Sequence, residues 1–232
     1  MLLDNYKTHK EKVLKLKLEQ CIKICGDGKL KDNSECSEEF RQFLNIIDYS
    51  HLKKLANECV NSNDKDLKDI KGFILQDIVN ELGKRLDYKV ETGLYRGTRG
   101  SIGHDGLWRC EDKKNDDIIA EVKTSIAHQI DLDPTTKYRS QLIEEKRINS
   151  KSSILYIIGK GETKQLEEQI RGRRNPDEMR IISLDSLLQL VEIKQEKSSD
   201  LDIIFQIRNL FKPIQYTKID RLIDILYNTA DA

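Results

Sequence analysis

Apolar positions recur along this chain with two different periods, and the change of period divides it. Over the first 60 or so residues the steps are helical. Leu14, Leu18 and Ile22 form one stripe, and Phe40, Phe43, Leu44 and Ile47 followed by Leu52, Leu55 and Cys59 form another. The stretch 26–37, with two glycines among Asp, Asn and Ser, separates them. Residues 1–62 are therefore expected to be an all-α extension whose apolar stripes serve packing or dimerisation. Next comes an amphipathic helix over about 66–86, marked by Ile70, Ile74, Ile78, Leu82 and Leu86. The period then shortens. Strands are expected at 89–95, 104–110 and 118–124, the last two joined through the polar stretch 111–117 as a hairpin. A helix over about 137–149 leads to the apolar β-type run 153–158, which Gly159 ends. Helix 162–171, strand 179–183 and helix 184–194 follow. Beyond 201, Ile203, Ile204, Ile207 and Leu210, then Ile219, Leu222, Ile223 and Leu226, keep helical spacing on either side of Pro213.

This order predicts an α/β protein in which a central mixed sheet, flanked by helices, occupies residues 63–196. The helices of 197–232 are expected to pack on that core. A chain of 232 residues is long enough for one such domain with an appendage. No apolar run approaches the roughly 20 residues that cross a bilayer. The first 17 residues mix Leu with Lys and acids and lack the apolar block of a secretory signal, so the expected location is the cytoplasm.

Charge and cysteine content narrow the chemistry. Lys plus Arg and Asp plus Glu number 40 each, so any nucleic-acid footprint must be local. The five cysteines, Cys21, Cys25, Cys36, Cys59 and Cys110, are odd in number and irregularly spaced, which favours reduced thiols. Cys21, Cys25, Cys36 and Cys59 would supply four thiolates for zinc, but no Cys-x-x-Cys is present. Cys21 and Cys25 also lie in an apparent helix with Ile22 and Ile24, where cysteine acts as a small hydrophobe.

An acidic residue two positions before a lysine is commonplace here, as in Asp66/Lys68, Asp87/Lys89, Glu144/Lys146 and Glu192/Lys194. Glu121 and Lys123 stand apart because they interrupt Ile118-Ile119-Ala120-Glu121-Val122-Lys123, whose apolar content demands a mostly buried strand. Period-two geometry places both on one face. Charges there are costly unless paired or metal-bound. One strand earlier, Asp105 sits in Gly103-His104-Asp105-Gly106, where a hairpin would let it face Glu121. Two carboxylates beside a lysine suit Mg²⁺, a hard ion that takes few carboxylates and keeps its waters. The competing reading is an ion pair that only holds the sheet together.

Other candidates surround this trio. Thr124 and Ser125, continuing from the strand, are placed to contact phosphate or to cap a turn. Gln169, Arg171, Arg173 and Arg174 cluster about Gly172, in keeping with phosphate contacts through bidentate arginine bonds. Arg96 and Arg99 lie in a glycine-punctuated basic loop between the first two strands. Tyr138 and Arg139 are weaker candidates. His104 is phased away from Asp105 and reads as a core histidine. Gly159-Lys160-Gly161 lacks the ending of a phosphate loop.

The αβββαβ order, with Asp105 on the second strand and Glu121-Val122-Lys123 on the third, resembles the PD-(D/E)XK nuclease superfamily, the restriction-endonuclease-like fold, over roughly residues 65–191. Within it the chain looks closest to the Mrr-like restriction group, whose first core helix carries Gly-x-x-x-Glu; here Gly72 is followed by Gln76 in the glutamate position. The proline before the aspartate is replaced by His104. The resemblance implies a Mg²⁺-dependent endonuclease, with Mn²⁺ able to substitute, that hydrolyses DNA phosphodiesters in restriction or anti-phage defence. It implies metal ligation by Asp105, Glu121 and the Val122 carbonyl, with Lys123, Gln76 and Gln169 assisting catalysis. A homodimer, or a partner protein bound through the N-terminal helices, is expected. The alternative is a catalytically inactive or partner-activated nucleic-acid-binding member of the same fold.

Overall fold

The computed structural model describes residues 1–96, 103–110, 117–125, 130–197, 201–211, 218–220, 222–223 and 226–227. Their contacts define two compact units, Met1–Glu81 and Leu82–Ala232.

The first unit is all-α. Its helices are α1 (Leu2–Thr8), α2 (Lys10–Val13), α3 (Leu18–Lys23), α4 (Glu35–Ile46), α5 (Tyr49–Asn61) and most of α6 (Lys71–Arg85). The stripe through Leu14, Leu18 and Ile22 is not one helix, because the chain turns after Val13 and starts again at Leu18. Side-chain caps set the other starts: Ser34 Oγ accepts from Ser37 N at 3.1 Å for α4, and Asp48 Oδ1 from His51 N at 2.8 Å for α5. Phe40, Phe43, Leu44, Leu52 and Leu55 are buried, with the Tyr6 ring edge-on to Phe43 at 5.5 Å. Two buried carboxylates fasten this core. Glu39 accepts from the backbone N–H groups of Leu3 and Gly26, and Asp77 of α6 pairs with Arg41 of α4 at 2.8 Å.

Cys21 lies on α3, but Cys25 lies just past that helix rather than within it. The Cys25 thiol donates to the Cys36 carbonyl at 3.3 Å and the Cys59 thiol to the Lys71 carbonyl at 3.5 Å. The helix expected over 66–86 begins at Lys71, and residues 65–70 are turns instead.

The second unit is built on a five-stranded sheet in sequential order: β1 (Lys89–Thr92), β2 (Gly106–Arg109), β3 (Ile118–Lys123), β4 (Ser153–Ile158) and β5 (Met179–Ser183). The β1/β2 and β2/β3 pairs are antiparallel, and β3/β4 and β4/β5 are parallel, so the sheet is mixed as expected. The parallel pairs need crossovers, which α7 (Asp133–Glu144) and α8 (Lys164–Arg171) provide. Leu107, Ile119, Ile154, Tyr156, Ile158 and Ile181 line one sheet face and pack with Leu142 of α7 and Leu166 and Ile170 of α8. The other face carries Trp108, which packs on Tyr88 at 5.7 Å between ring centroids, and α9 (Leu184–Glu196) lies against β4 and β5. No helix among the described residues is long and apolar enough to cross a membrane.

Element ends differ from expectation where backbone chemistry intervenes. The helix expected at 137–149 runs from Asp133 to Glu144: Pro134, pre-set for a first helical turn, starts it early, and Lys146 at φ 56° ends it. Strand 89–95 stops at Thr92, and Gly93 next to it passes so close to the segment before β2 that a Cβ there would lie 1.6 Å from the His104 carbonyl oxygen. The tail begins with α10 (Leu201–Leu210), which buries Ile207, and Phe211 beyond it is buried as well. It also contributes to the sheet, since Lys218 bridges Ile181 in parallel. Asp220 then caps α9 by accepting from Ser183 N and Ser186 Oγ, both at 2.9 Å.

Candidate active site

Asp105 occupies the residue just before β2, where the three-stranded antiparallel part of the sheet opens. Its backbone is held on both sides, with its N–H donating to the Ala120 carbonyl at 3.2 Å and its carbonyl accepting from Gly93 N at 3.0 Å. Alternation carries its side chain to the face of Leu107 and Ile119, and hence of Glu121 and Lys123. Gly106, which follows it, is buried in the sheet, and a Cβ on nearby Gly103 would press on the Tyr138 hydroxyl at 3.1 Å.

One Asp105 oxygen, Oδ2, accepts from the Val122 N–H at 2.6 Å, and Lys123 Nζ donates to Glu121 Oε1 at 2.7 Å. Burial and then the neighbouring Glu121 charge push the Asp105 carboxyl up to about 7, against the pull of the Val122 N–H and Lys123. Burial alone would lower the Lys123 ammonium, yet Glu121 and Asp105 outweigh it and hold the pKa above its ordinary value. Lys123 is a cation and Asp105 a carboxyl poised near neutrality.

This donor set fits a small divalent cation. The Glu121 charge raises the cost of ionising Asp105, and an added positive charge beside them would relieve that cost. The Val122 N–H points toward Asp105, and within a strand the carbonyl of the same residue lies on the same side. Asp105 and Glu121 would be the cation's carboxylate donors, with the Val122 carbonyl on the same edge of β3 as the Asp105 contact.

A second cluster lies on the same sheet face. Gln169 of α8 and Arg173 just past it line a cleft of about 390 Å³ with Ile130, Asp131, Leu132 and Asp133. Gln169 Nε2 donates to the Ile130 carbonyl at 3.2 Å, and Arg173 pairs with Asp133 at 2.8 Å. Between cleft and trio stands Tyr156, directly across from Glu121 in the β3/β4 register. Its ring is fully buried, and its hydroxyl has no hydrogen-bond partner among the described residues. An unsatisfied buried hydroxyl costs about 1–3 kcal/mol. Thr135 of α7 is its strongest polar neighbour, with the charges of Glu121, Arg173 and Asp131 beyond it; burial outweighs the pull of Thr135 and holds the proton on.

The remaining candidates are dispersed. Arg171 is exposed and faces Glu167 at 3.5 Å, and Arg174 is exposed past α8. Thr124 is half-buried and Ser125 exposed at the end of β3; Arg96 is exposed beyond β1, and Arg99 lies outside the described residues. Gln76 is buried on α6, in the first unit. Arg139 is a structural clamp, donating to the Ser152 and Ser150 carbonyls at 2.8 and 2.6 Å and pairing with Glu178. His104 is buried, its neighbouring charges being Arg147, Glu91 and Arg109.

The residues that periodicity did not single out are Tyr156, Asp131 and Asp133. Tyr156 sits inside the apolar run of β4, where a tyrosine looks like one more core residue. Only the parallel register places it opposite Glu121. No protein-family model matches this chain, and no curated protein matches it.

Proposed function

We propose that the second unit is a metal-dependent nuclease of the PD-(D/E)XK type, acting on DNA phosphodiesters. The observation that carries this reading is the convergence of Asp105 and Glu121 on one sheet face, the first hydrogen-bonded to Val122 N–H and the second to Lys123. A divalent cation held there would supply Lewis acidity to a phosphate oxygen and a water of lowered pKa. Asp105 and Glu121 position it. Lys123, already charged and only 34% exposed, turns from Glu121 to the phosphate, where it stabilises developing negative charge or orients the attacking water. Arg173 and Gln169 in the neighbouring cleft hold the flanking phosphate. One such site cuts one strand, so double-strand cleavage calls for two chains.

Supercoiled plasmid incubated with Mg²⁺, Mn²⁺ or EDTA tests this. Nicking is expected with either metal and not with EDTA, with a loss of at least about 100-fold in Asp105→Ala and Lys123→Ala. The Glu121–Lys123 ion pair also suits the second reading, a nucleic-acid-binding member without catalysis. DNA binding with no nicking under either metal would establish that reading and end the first.

A further inference from the structure

The Tyr156 hydroxyl has no role in the reaction as outlined. It is fully buried and without a hydrogen-bond partner among the described residues, and it sits one strand over from Glu121 on the same face. Buried hydroxyls are nearly always satisfied, and an exception calls for a reason. Glu121 is engaged by Lys123 at 2.7 Å. If that carboxylate turns toward a cation, Lys123 is released and a glutamate oxygen is left to be oriented from the β4 side. Tyr156 is the hydroxyl in register there. It keeps its proton, so it meets a carboxylate as a donor.

We propose that Tyr156 is a positioning residue for Glu121: its phenol O–H donates to the Glu121 carboxylate when that group ligates a divalent cation, fixing the carboxylate's rotamer. This rests on the metal-site reading above. Groups that orient a ligand from behind are worth tenfold to a hundredfold in metal affinity. Thr135 on α7 is the competing partner: its buried hydroxyl is the strongest influence on Tyr156 after burial, ahead of Glu121. In that case the tyrosine serves only packing.

Isothermal titration of the full chain with Mn²⁺ separates the possibilities. Tyr156→Phe is expected to bind Mn²⁺ about 10- to 100-fold more weakly than wild type, with the metal-free melting temperature unchanged or raised, because an unsatisfied hydroxyl has been removed. Thr135→Val is expected to bind within about twofold of wild type. Equal Mn²⁺ affinity in Tyr156→Phe and wild type overturns the proposal while leaving the metal site standing, and so does an equal loss in Thr135→Val. No Mn²⁺ binding by wild type overturns both. As a second measurement, ¹⁹F spectra of the fluorotyrosine-labelled chain should show one tyrosine signal that shifts with Mg²⁺ in wild type and stays put in Glu121→Gln. No shifting signal in wild type overturns the proposal even if Tyr156→Phe does not fold.

Discussion

Asp105 holds its proton to about pH 7 because burial and Glu121 both oppose ionisation. Its folded value lies above its ordinary value of 3.8, so the stability linked to this group is fully present below about pH 4 and is lost as pH rises through 7. Asparagine retains an oxygen for the Val122 N–H and carries no charge. Metal-free Asp105→Asn is therefore expected to gain on wild type between pH 4 and 7 and to stay ahead above it, by on the order of 1 kcal/mol or about 2–4 °C. Thermal melts at pH 4, 6 and 8 in EDTA measure this, and equal melting temperatures at pH 8 would show that neither burial nor Glu121 burdens the ionised Asp105. The same substitution is expected to abolish metal binding. On the proposed reading, stability and function pull in opposite directions at this residue.

Among the elements, the end of β1 matters most for the site. Gly93 lets the β1 backbone donate to the Asp105 carbonyl at 3.0 Å while passing the His104 carbonyl more closely than any side chain permits. Gly93→Ala must push the two chains apart and is expected to cost about 1–3 kcal/mol. It is also expected to lower Mn²⁺ affinity, because Asp105 moves with its backbone. Gly72→Ala is the contrasting case. A Cβ at Gly72 meets nothing within 4 Å, and alanine in the first turn of α6 should add up to about 1 kcal/mol. Chemical denaturation of both variants checks these signs; a stabilised Gly93→Ala would refute the steric account.

For the whole molecule, occupation of the site is a stability term. A cation bound to the folded chain alone adds about 2.7 kcal/mol at a hundred times its dissociation constant. Saturating Mn²⁺ is therefore expected to raise the melting midpoint by about 5–10 °C, reversed by EDTA and absent in Glu121→Ala. A Mn²⁺ response that persists in Glu121→Ala would place the ion elsewhere. Balanced net charge leaves binding of an anionic polymer to local groups, of which Arg173 is held by Asp133 and Arg171 by Glu167.

Much of the architecture was legible from periodicity alone: the helical first 60 residues, the strands about Asp105 and Glu121, and the mixed sheet with its crossovers. Period-two alternation also sufficed to put Glu121 and Lys123 on one face, since that follows from the pleat of any strand. Element ends were not legible, because they depend on single contacts such as the Gly93 approach to His104 and the left-handed Lys146. Neither was Tyr156, whose identity as an apolar-run residue is local while its position opposite Glu121 comes from the parallel pairing of residues 35 apart in the chain. The Asp133 partner of Arg173 likewise comes from 40 residues away. The sequence by itself determined which residues prefer strand or helix and which charges share a strand face, because those preferences act between near neighbours. Tertiary structure alone decided which charges share a site, because strand register and helix packing bring distant residues together and local preference says nothing about which will meet.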